Sequence, residues 1–389
     1  LNLIGQTWEP VESMPVGANV RNHPVTFTVG GIGYLMGGTK PVAGVLGDFY
    51  SYDPEADSWT TLPDFPGTER GYAYGVSTDT KGYTGFGLYE NEVTGEYAAF
   101  NDWWEFDPVT ETWTELASCP CAERFHPAMV QVNDKIYVGV GANLFGDLGD
   151  WWEYDIATDT WTEKTSFPSS VRHHPYYFGI GDYVYVGFGH HTSSIFNDFY
   201  RYDPATDSWL TLNDFPDQGR VAGTQFAHDG KGYILSGQGE SHGNLPTGEF
   251  WEYEPDTDEW TALEVHPDGG RWAPGSFVID DKFFMTCGEA NTGDKNDMMV
   301  YDLDFAAGIN ETILENSVTF SPNPSQGIVF INNAADMFTS ADVYDASGRL
   351  MLTAKVSNQV IDLSELVSGI YFIQLQGNEG AITKKLVIE

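Results

Sequence analysis

Residues 152–161 read WEYDIATDTW, and the phrase returns as YSYDPEADSW at 50–59, WEFDPVTETW at 104–113, YRYDPATDSW at 200–209 and WEYEPDTDEW at 251–260. From Tyr52, Phe106, Tyr154, Tyr202 and Tyr253 the next Trp always lies seven residues on. A polar stretch opened by Asp-Pro between two aromatic runs is hairpin chemistry. With Trp8 included, six tryptophans (Trp8, Trp59, Trp113, Trp161, Trp209, Trp260) recur at intervals of 48 to 54. Self-similarity at such a period outranks any local motif.

A second phrase follows each Trp. Arg21, Arg70, Arg124, Arg172, Arg220 and Arg271 stand 11 residues after their Trp, or 13 for the first. Thirteen residues beyond each Arg comes an aromatic (Tyr34, Tyr83, Tyr137, Tyr185, Tyr233, Phe284), and seventeen beyond comes Gly38, Gly87, Gly141, Gly189, Gly237 or Gly288. Each unit predicts four strands. Strand a starts at the Arg, and strand b carries the aromatic and ends at the Gly. Strand c is the aromatic phrase, and strand d starts at the Trp. Four short antiparallel strands per ~50 residues make a propeller blade.

These residues resemble Kelch repeats over roughly 1–305, although the Kelch double glycine is kept only at Gly37-Gly38. The resemblance implies a six-bladed, all-β Kelch-type propeller. The last unit ends at MMVYDLD (298–304) without a Trp, and Trp8 has no strand c before it. The N-terminal strand is therefore expected to complete the last blade and close the ring, which protects both edges.

The repeat stops after Asp304. Residues 306–316, AAGINETILEN, read as a linker, and 317–389 as short alternating strands of a β-sandwich of six or seven strands. SPNPSQG, VYDASGRLM, DLSELVSGIYFI and the terminal KKLVIE resemble the type A sorting domain of the bacterial type IX secretion system. That resemblance implies an immunoglobulin-like sandwich, export across the outer membrane, and the secretion translocon and sorting machinery as partners of 317–389. The protein is then secreted or held at the outer-membrane cell surface.

Composition narrows the partners. With 57 acidic against 18 basic residues the formal charge is −39. Nucleic acid and anionic membrane surfaces need a cationic footprint and are excluded. No apolar run reaches the ~18 residues of a membrane span. The chain opens at Leu1 without Met or leader, which leads us to expect a processed N-terminus. Cys119, Cys121 and Cys287 form no disulfide framework, and Cys119-Pro-Cys121 reads as free or structural thiols, with a strained local disulfide or a redox pair as the alternatives.

Candidate site residues fall in three groups. The six arginines of the repeat surround one mouth of the channel, and strand c of each blade opens with an acid on the same face: Asp48, Asp102, Asp150, Asp198, Glu249 and Asp297. Strands two apart lie about 10 Å from each other, so one-for-one Arg–carboxylate pairing is expected, with a free anion site as the alternative. Second, the b–c loop varies in length while the other connections do not. From Gly to the residue after the strand-c acid, the first strand-c aromatic in blades 1 to 5, it runs 11, 16, 10, 10, 13 and 10 residues. Tolerated insertion marks a functional face, and the long loops of blades 2 and 5 offer Tyr89, Glu92, Glu96, Tyr97, Glu240 and His242. His190, His191 and Trp272 stand nearby, and partners are expected across a cleft between those two loops. Third, His23, His126 and His174 fall two residues after their Arg, each before Pro. Three histidines around a channel are metal-ligand chemistry, but the repeat position accounts for them without a metal; no cofactor is expected, with calcium on the acidic loops as the alternative.

The leading functional expectation is a non-catalytic exported module binding glycan or protein on the b–c loop face. The alternatives are a sugar-active enzyme such as a sialic-acid mutarotase-like epimerase, which Kelch propellers include, and a structural partner in a cell-envelope assembly. No serine elbow, phosphate loop or zinc-ligand spacing marks catalysis.

Overall fold

In the computed structural model the chain divides into two compact units, Leu1–Tyr301 and Asp302–Glu389. The structure describes residues 8–15, 18–41, 44–91, 93–245, 249–303, 319–332, 338–345, 349–357, 359–377 and 380–389. The linker expected at 306–316 lies outside the described residues.

The first unit holds six four-stranded antiparallel sheets, ordered a-b-c-d. Blade 1 is Val25–Val29, Ile32–Thr39, Val45–Asp53 and Ser58–Leu62. Blade 3, Ala128–Val132, Lys135–Gly139, Trp151–Asp155 and Thr160–Lys164, is representative of the rest. Blade 6 takes Gly275–Ile279, Lys282–Thr286 and Met298–Asp302 from the end of the unit and Trp8–Val11 as its outer strand, with Trp8 opposite Tyr301. The ring is thus closed by its N-terminal strand.

The recurring phrase joins blades as well as building them. Tyr154 donates its hydroxyl to Asp159 Oδ1 at 2.9 Å across the c–d turn, and the same carboxylate accepts Ala117 N–H at the end of blade 2. Trp161 Nε1 donates to Ala117 O at 2.8 Å. Tyr52–Asp57 and Tyr202–Asp207 repeat the arrangement toward their own preceding blades. Between the sheets, large rings fill the core, Trp103 and Trp151 being fully buried.

Two strand boundaries differ from the sequence expectation. Each strand a begins four residues after its Arg, not at it: Tyr74 after Arg70, Ala128 after Arg124, Tyr176 after Arg172. Strand b ends two residues before the repeat glycine in blades 2 to 6, for example at Gly139 before Gly141. Strand b is ended by a positive φ at the residue before the glycine, as at Val140 (48°), and strand a is delayed by one at the second residue after each Arg. There His23, Tyr72, His126, His174, Ala222 and Ala273 all have positive φ, between 44° and 60°, which breaks the strand.

The second unit contains a three-stranded sheet (Thr319–Ser321, Ile328–Asn332, Val360–Asp362) and a four-stranded one (Phe338–Asp345, Leu350–Lys355, Gly369–Gly377, Gly380–Ile388). Val329, Ile331 and Ile361 of the first share one buried core with Ala341, Val343 and Ile373 of the second.

Candidate functional site: the channel mouth

The six arginines are buried, none more than 1 % exposed. Each pairs with the acid of its own blade: Arg21–Asp48 at 2.6 Å, Arg70–Asp102 at 2.6 Å, Arg124–Asp150 at 2.6 Å, Arg172–Asp198, Arg220–Glu249 at 2.7 Å and Arg271–Asp297 at 2.8 Å. Five of them also donate to the carbonyl before the repeat glycine, as Arg124 does to Val140 O at 3.0 Å. Burial alone would raise Asp150; the bonds and charge of Arg124 outweigh it and hold that carboxyl below its ordinary range.

The glycine serves the ring in a way sequence reasoning missed. Its N–H donates to the carbonyl of the next blade's arginine in all six blades, from Gly38 to Arg70 O (3.1 Å) round to Gly288 to Arg21 O (2.8 Å). Its φ lies between 77° and 100°, and a Cβ at Gly141 would sit 2.8 Å from Phe125 O. Left-handed backbone and close approach, rather than a clear path between arginine and acid, require glycine here.

Inside this ring the residues two beyond each Arg crowd the channel. His23, His126 and His174 converge, with 3.0 Å between His23 Nε2 and His174 Nε2 and 3.4 Å between the ring centres of His126 and His174. His190 adds its Nε2 3.4 Å from His174 Nδ1, and His173 lies 4.0 Å from His190 between ring centres. Burial keeps these rings neutral: it pulls His23 down to about 3 and His190 to about 4, and holds His126 and His174 well below the ordinary range. The cluster stands between two cavities that both touch His23. One, of about 350 Å³, is the bore lined by strands a; the other, of about 710 Å³, is a cleft at the mouth.

The cleft is lined by Asn22, Thr39 and Lys40 of blade 1, Tyr72, Leu88 and Glu90 of blade 2, and Trp272, Glu289 and Asp294 of blade 6, besides the histidines. Tyr72 donates its hydroxyl to Glu90 Oε1 at 3.2 Å.

Of the residues expected to bind, Trp272 is in this lining. Tyr89 is half-buried and outside that lining, its hydroxyl accepting from Asn91 Nδ2 at 3.4 Å. Glu96 and Tyr97 lie exposed on the second arm of the blade 2 loop, and Glu92 lies outside the described residues. His190 belongs to the histidine cluster, whereas His191 turns away to Asp147 Oδ2 at 2.6 Å. His242 sits 5.5 Å from His190 between ring centres, and Glu240 is exposed.

The loops of blades 2 and 5 therefore do not form the cleft between them, as expected from their lengths. The blade 2 loop folds on itself as a hairpin, Leu88–Asn91 with Glu96–Ala99. The blade 5 loop pairs Gln238–Gly239 with Arg220–Val221 and reaches blade 6 through Asn244 Nδ2 to Glu289 O at 3.0 Å. Their extra backbone is consumed locally. Sequence reasoning also missed Leu144 and Phe145 at the tip of the blade 3 hairpin, where Phe145 is 95 % exposed. A further correction concerns Cys119 and Cys121, which are joined as a disulfide across a Cα separation of 5.1 Å, within reach of the bond. Cys287 is free and buried.

A ring of six four-stranded blades with a repeated Arg–acid–Gly seam defines a Kelch-type propeller. Comparison with known families agrees. Residues 94–220 match the Kelch-repeats domain described for KLHDC2, KLHL20 and DRC7, and residues 319–389 match the secretion system C-terminal sorting domain. The chain thus carries Kelch repeats and a type IX sorting domain, and the latter marks it for export to the cell exterior or surface. It is 32% identical over 152 residues to the Kelch-like protein terF of Aspergillus terreus, covering 38% of this chain and 32% of that one. It is 34% identical over 119 residues to N-acetylneuraminate epimerase of Haemophilus influenzae, covering 30% of this chain and 32% of that protein. The chain spans about a third of the length of these relatives. The solved structure of YjhT aligns with a TM-score of 0.62 at 18% identity, over 75% of this chain and 96% of that one, a likeness of fold.

Proposed function

We propose that this chain is an exported binding module that holds a neutral glycan or a basic protein segment in the mouth cleft of its propeller. The cleft itself carries the reading. Besides its histidines it presents three aromatic residues, Tyr72, Phe125 and Trp272, beside three carboxylates, Glu90, Glu289 and Asp294, with Lys40 as the one lysine or arginine among the described lining residues. Aromatic faces stack on sugar rings and attract cations, and carboxylates accept hydrogen bonds from hydroxyls or ammonium groups. The cleft also lies on the face where loop length varies. A carboxylated sugar such as the Haemophilus relatives' N-acetylneuraminate needs a cation at the mouth, and the six ring arginines are committed to their own acids. That leaves Lys40 alone against Glu90, Glu289 and Asp294 in the cleft, a balance that favours neutral or cationic ligands over an epimerase's carboxylated one.

The test is a glycan array and a pull-down with the full chain, followed by Trp272→Ala and Glu289→Gln on whatever is captured. Trp272→Ala should weaken binding about 10-fold or more, the worth of one stacked ring in a desolvated site. Unchanged affinity in both variants, with loss on altering the Asp-Pro hairpins of the opposite face, sinks the reading.

A further inference from the structure

Three side chains from three blades meet at the floor of the mouth cleft: His23, His126 and His174. Their nearest ring nitrogens lie within 4.8 Å of one another, and none of the three is more than 6 % exposed. Each occupies the same repeat position, where positive φ ends the inter-blade segment and strand a has not begun.

The surrounding hydrogen bonds fix where the lone pairs lie. His23 Nδ1 is 2.7 Å from Asn22 Oδ1. The Asn22 amide is oriented by its own contacts, Nδ2 donating to Asp294 Oδ1 at 3.0 Å and Oδ1 accepting the Thr39 hydroxyl. His23 Nδ1 must therefore carry the ring proton, and Nε2 is a bare lone pair aimed at His174 Nε2. His174 can in turn direct its Nδ1 proton to His190 Nε2. His126 is the orphan. Both of its ring nitrogens are buried, and neither has a hydrogen-bond partner. Every neutral imidazole has one N–H and one lone pair to satisfy, and no described residue meets either of those of His126.

We propose that His23, His126 and His174 bind a divalent transition-metal ion of the zinc class, through His23 Nε2, His174 Nε2 and a ring nitrogen of His126. Neutral imidazole nitrogen is a preferred ligand of zinc, copper and nickel, whereas calcium and magnesium take oxygen. Zinc–nitrogen bonds of about 2.0–2.1 Å place tetrahedral ligands roughly 3.3 Å apart. The His23–His174 separation is already close to that, and a ring nitrogen of His126 lies within 4.8 Å of both. The outer bonds also fit, since metal-bound histidines hold their other N–H against an acceptor, here Asn22 Oδ1 and His190 Nε2. Three protein ligands leave a fourth position, and all three residues line the cleft, so that position opens toward it. A second triad, His173, His174 and His190, shares His174. There His173 Nδ1 is already engaged by Asp147 Oδ1 at 2.7 Å, and His190 acts as an outer partner.

The full chain, stripped with a chelator, is titrated with Zn²⁺ by calorimetry and with Co²⁺ by visible absorption. One equivalent of each should bind, with the intense d–d bands of a tetrahedral cobalt site, and Zn²⁺ should raise the melting temperature. His126→Gln and His174→Gln should each weaken binding by about 100-fold or more, and His190→Gln by about 10-fold. His126 has no hydrogen bond to lose, so His126→Gln keeps the fold and decides the matter even if His174→Gln does not. Absence of saturable binding, or equal affinity in wild type and His126→Gln, overturns the assignment.

Discussion

Replacing Arg70 by Ala tests whether the arginine ring holds the propeller together or serves a ligand. Arg70 is 1 % exposed and Asp102 21 % exposed. The guanidinium donates to Asp102 Oδ1 at 2.6 Å and Oδ2 at 2.8 Å, to Phe86 O at 2.9 Å and to Thr68 O at 3.0 Å. It also lies over the rings of Phe65 and Phe100, 5.0 and 4.4 Å from their centres. The truncation strands the Asp102 carboxylate, which keeps Trp104 Nε1 at 2.8 Å. Breaking a buried ion pair costs about 3–5 kcal/mol. Asp102 retains some access to water, so a loss of about 3 kcal/mol is expected. For a unit of this size that lowers the melting temperature by about 5 °C, readable by calorimetry on the full chain. The double variant Arg70→Ala/Asp102→Ala should recover about 1 kcal/mol or more, because no carboxylate is left unpaired. A melting temperature within about 1 °C of wild type for Arg70→Ala would refute the structural role, since a ligand-binding arginine contributes nothing to the unliganded fold.

Other outcomes follow from single features. Trp8→Ala removes a ring buried against His266 and Tyr301, 4.8 and 5.0 Å between centres, and should cost about 3–5 kcal/mol in urea denaturation. His266, buried and disfavoured as a cation also by Arg271, with Asp297 opposing, is held at about 3. The unfolded chain takes that proton first as pH falls, so stability is full above about pH 6.5 and drains toward pH 3, by about 2 kcal/mol at pH 5. Unfolding at pH 7.5 and 5 should therefore show a smaller difference for His266→Phe than for wild type. Gly141→Ala forces a Cβ against Phe125 O at φ 90° and should destabilise by about 1–3 kcal/mol, read as a lower denaturation midpoint. Deleting residues 319–389 should leave the protein inside the cell, measured by fractionation, and normal export of that variant would contradict the sorting role.

The repeat made the architecture legible because each of its fixed residues meets a neighbour at a fixed register. Trp161 reaches Ala117 and Gly87 reaches the carbonyl of Arg124, so period alone encodes the seams. The pairing of six arginines with six acids was likewise readable from strand order and spacing. The histidine cluster was only half readable. His23, His126 and His174 share a repeat position, but the approach of His190 depends on the bridge between His173 and His190, which lies outside the expected strands. Loop length misled about the cleft, because length says nothing of where a loop's own hydrogen bonds go. The blade 2 insertion spends its backbone on a hairpin, and the cleft settles over blades 6, 1 and 2.

The closing strand also sets an order of events. Trp8–Val11 is the first described strand to be synthesised and pairs with Met298–Asp302, about 290 positions later. Until that late strand exists, Trp8–Val11 has no partner and blade 6 lacks its outer strand. Five finished blades are therefore an open arc with two unsatisfied ends, and the clasp shuts in one step across the longest span in the unit. Contacts of such separation carry the largest loop-closure cost and form slowest. Ring closure should be the rate-limiting phase of refolding, and the early strand must remain unpaired, and soluble, for as long as the rest of the propeller takes to arrive.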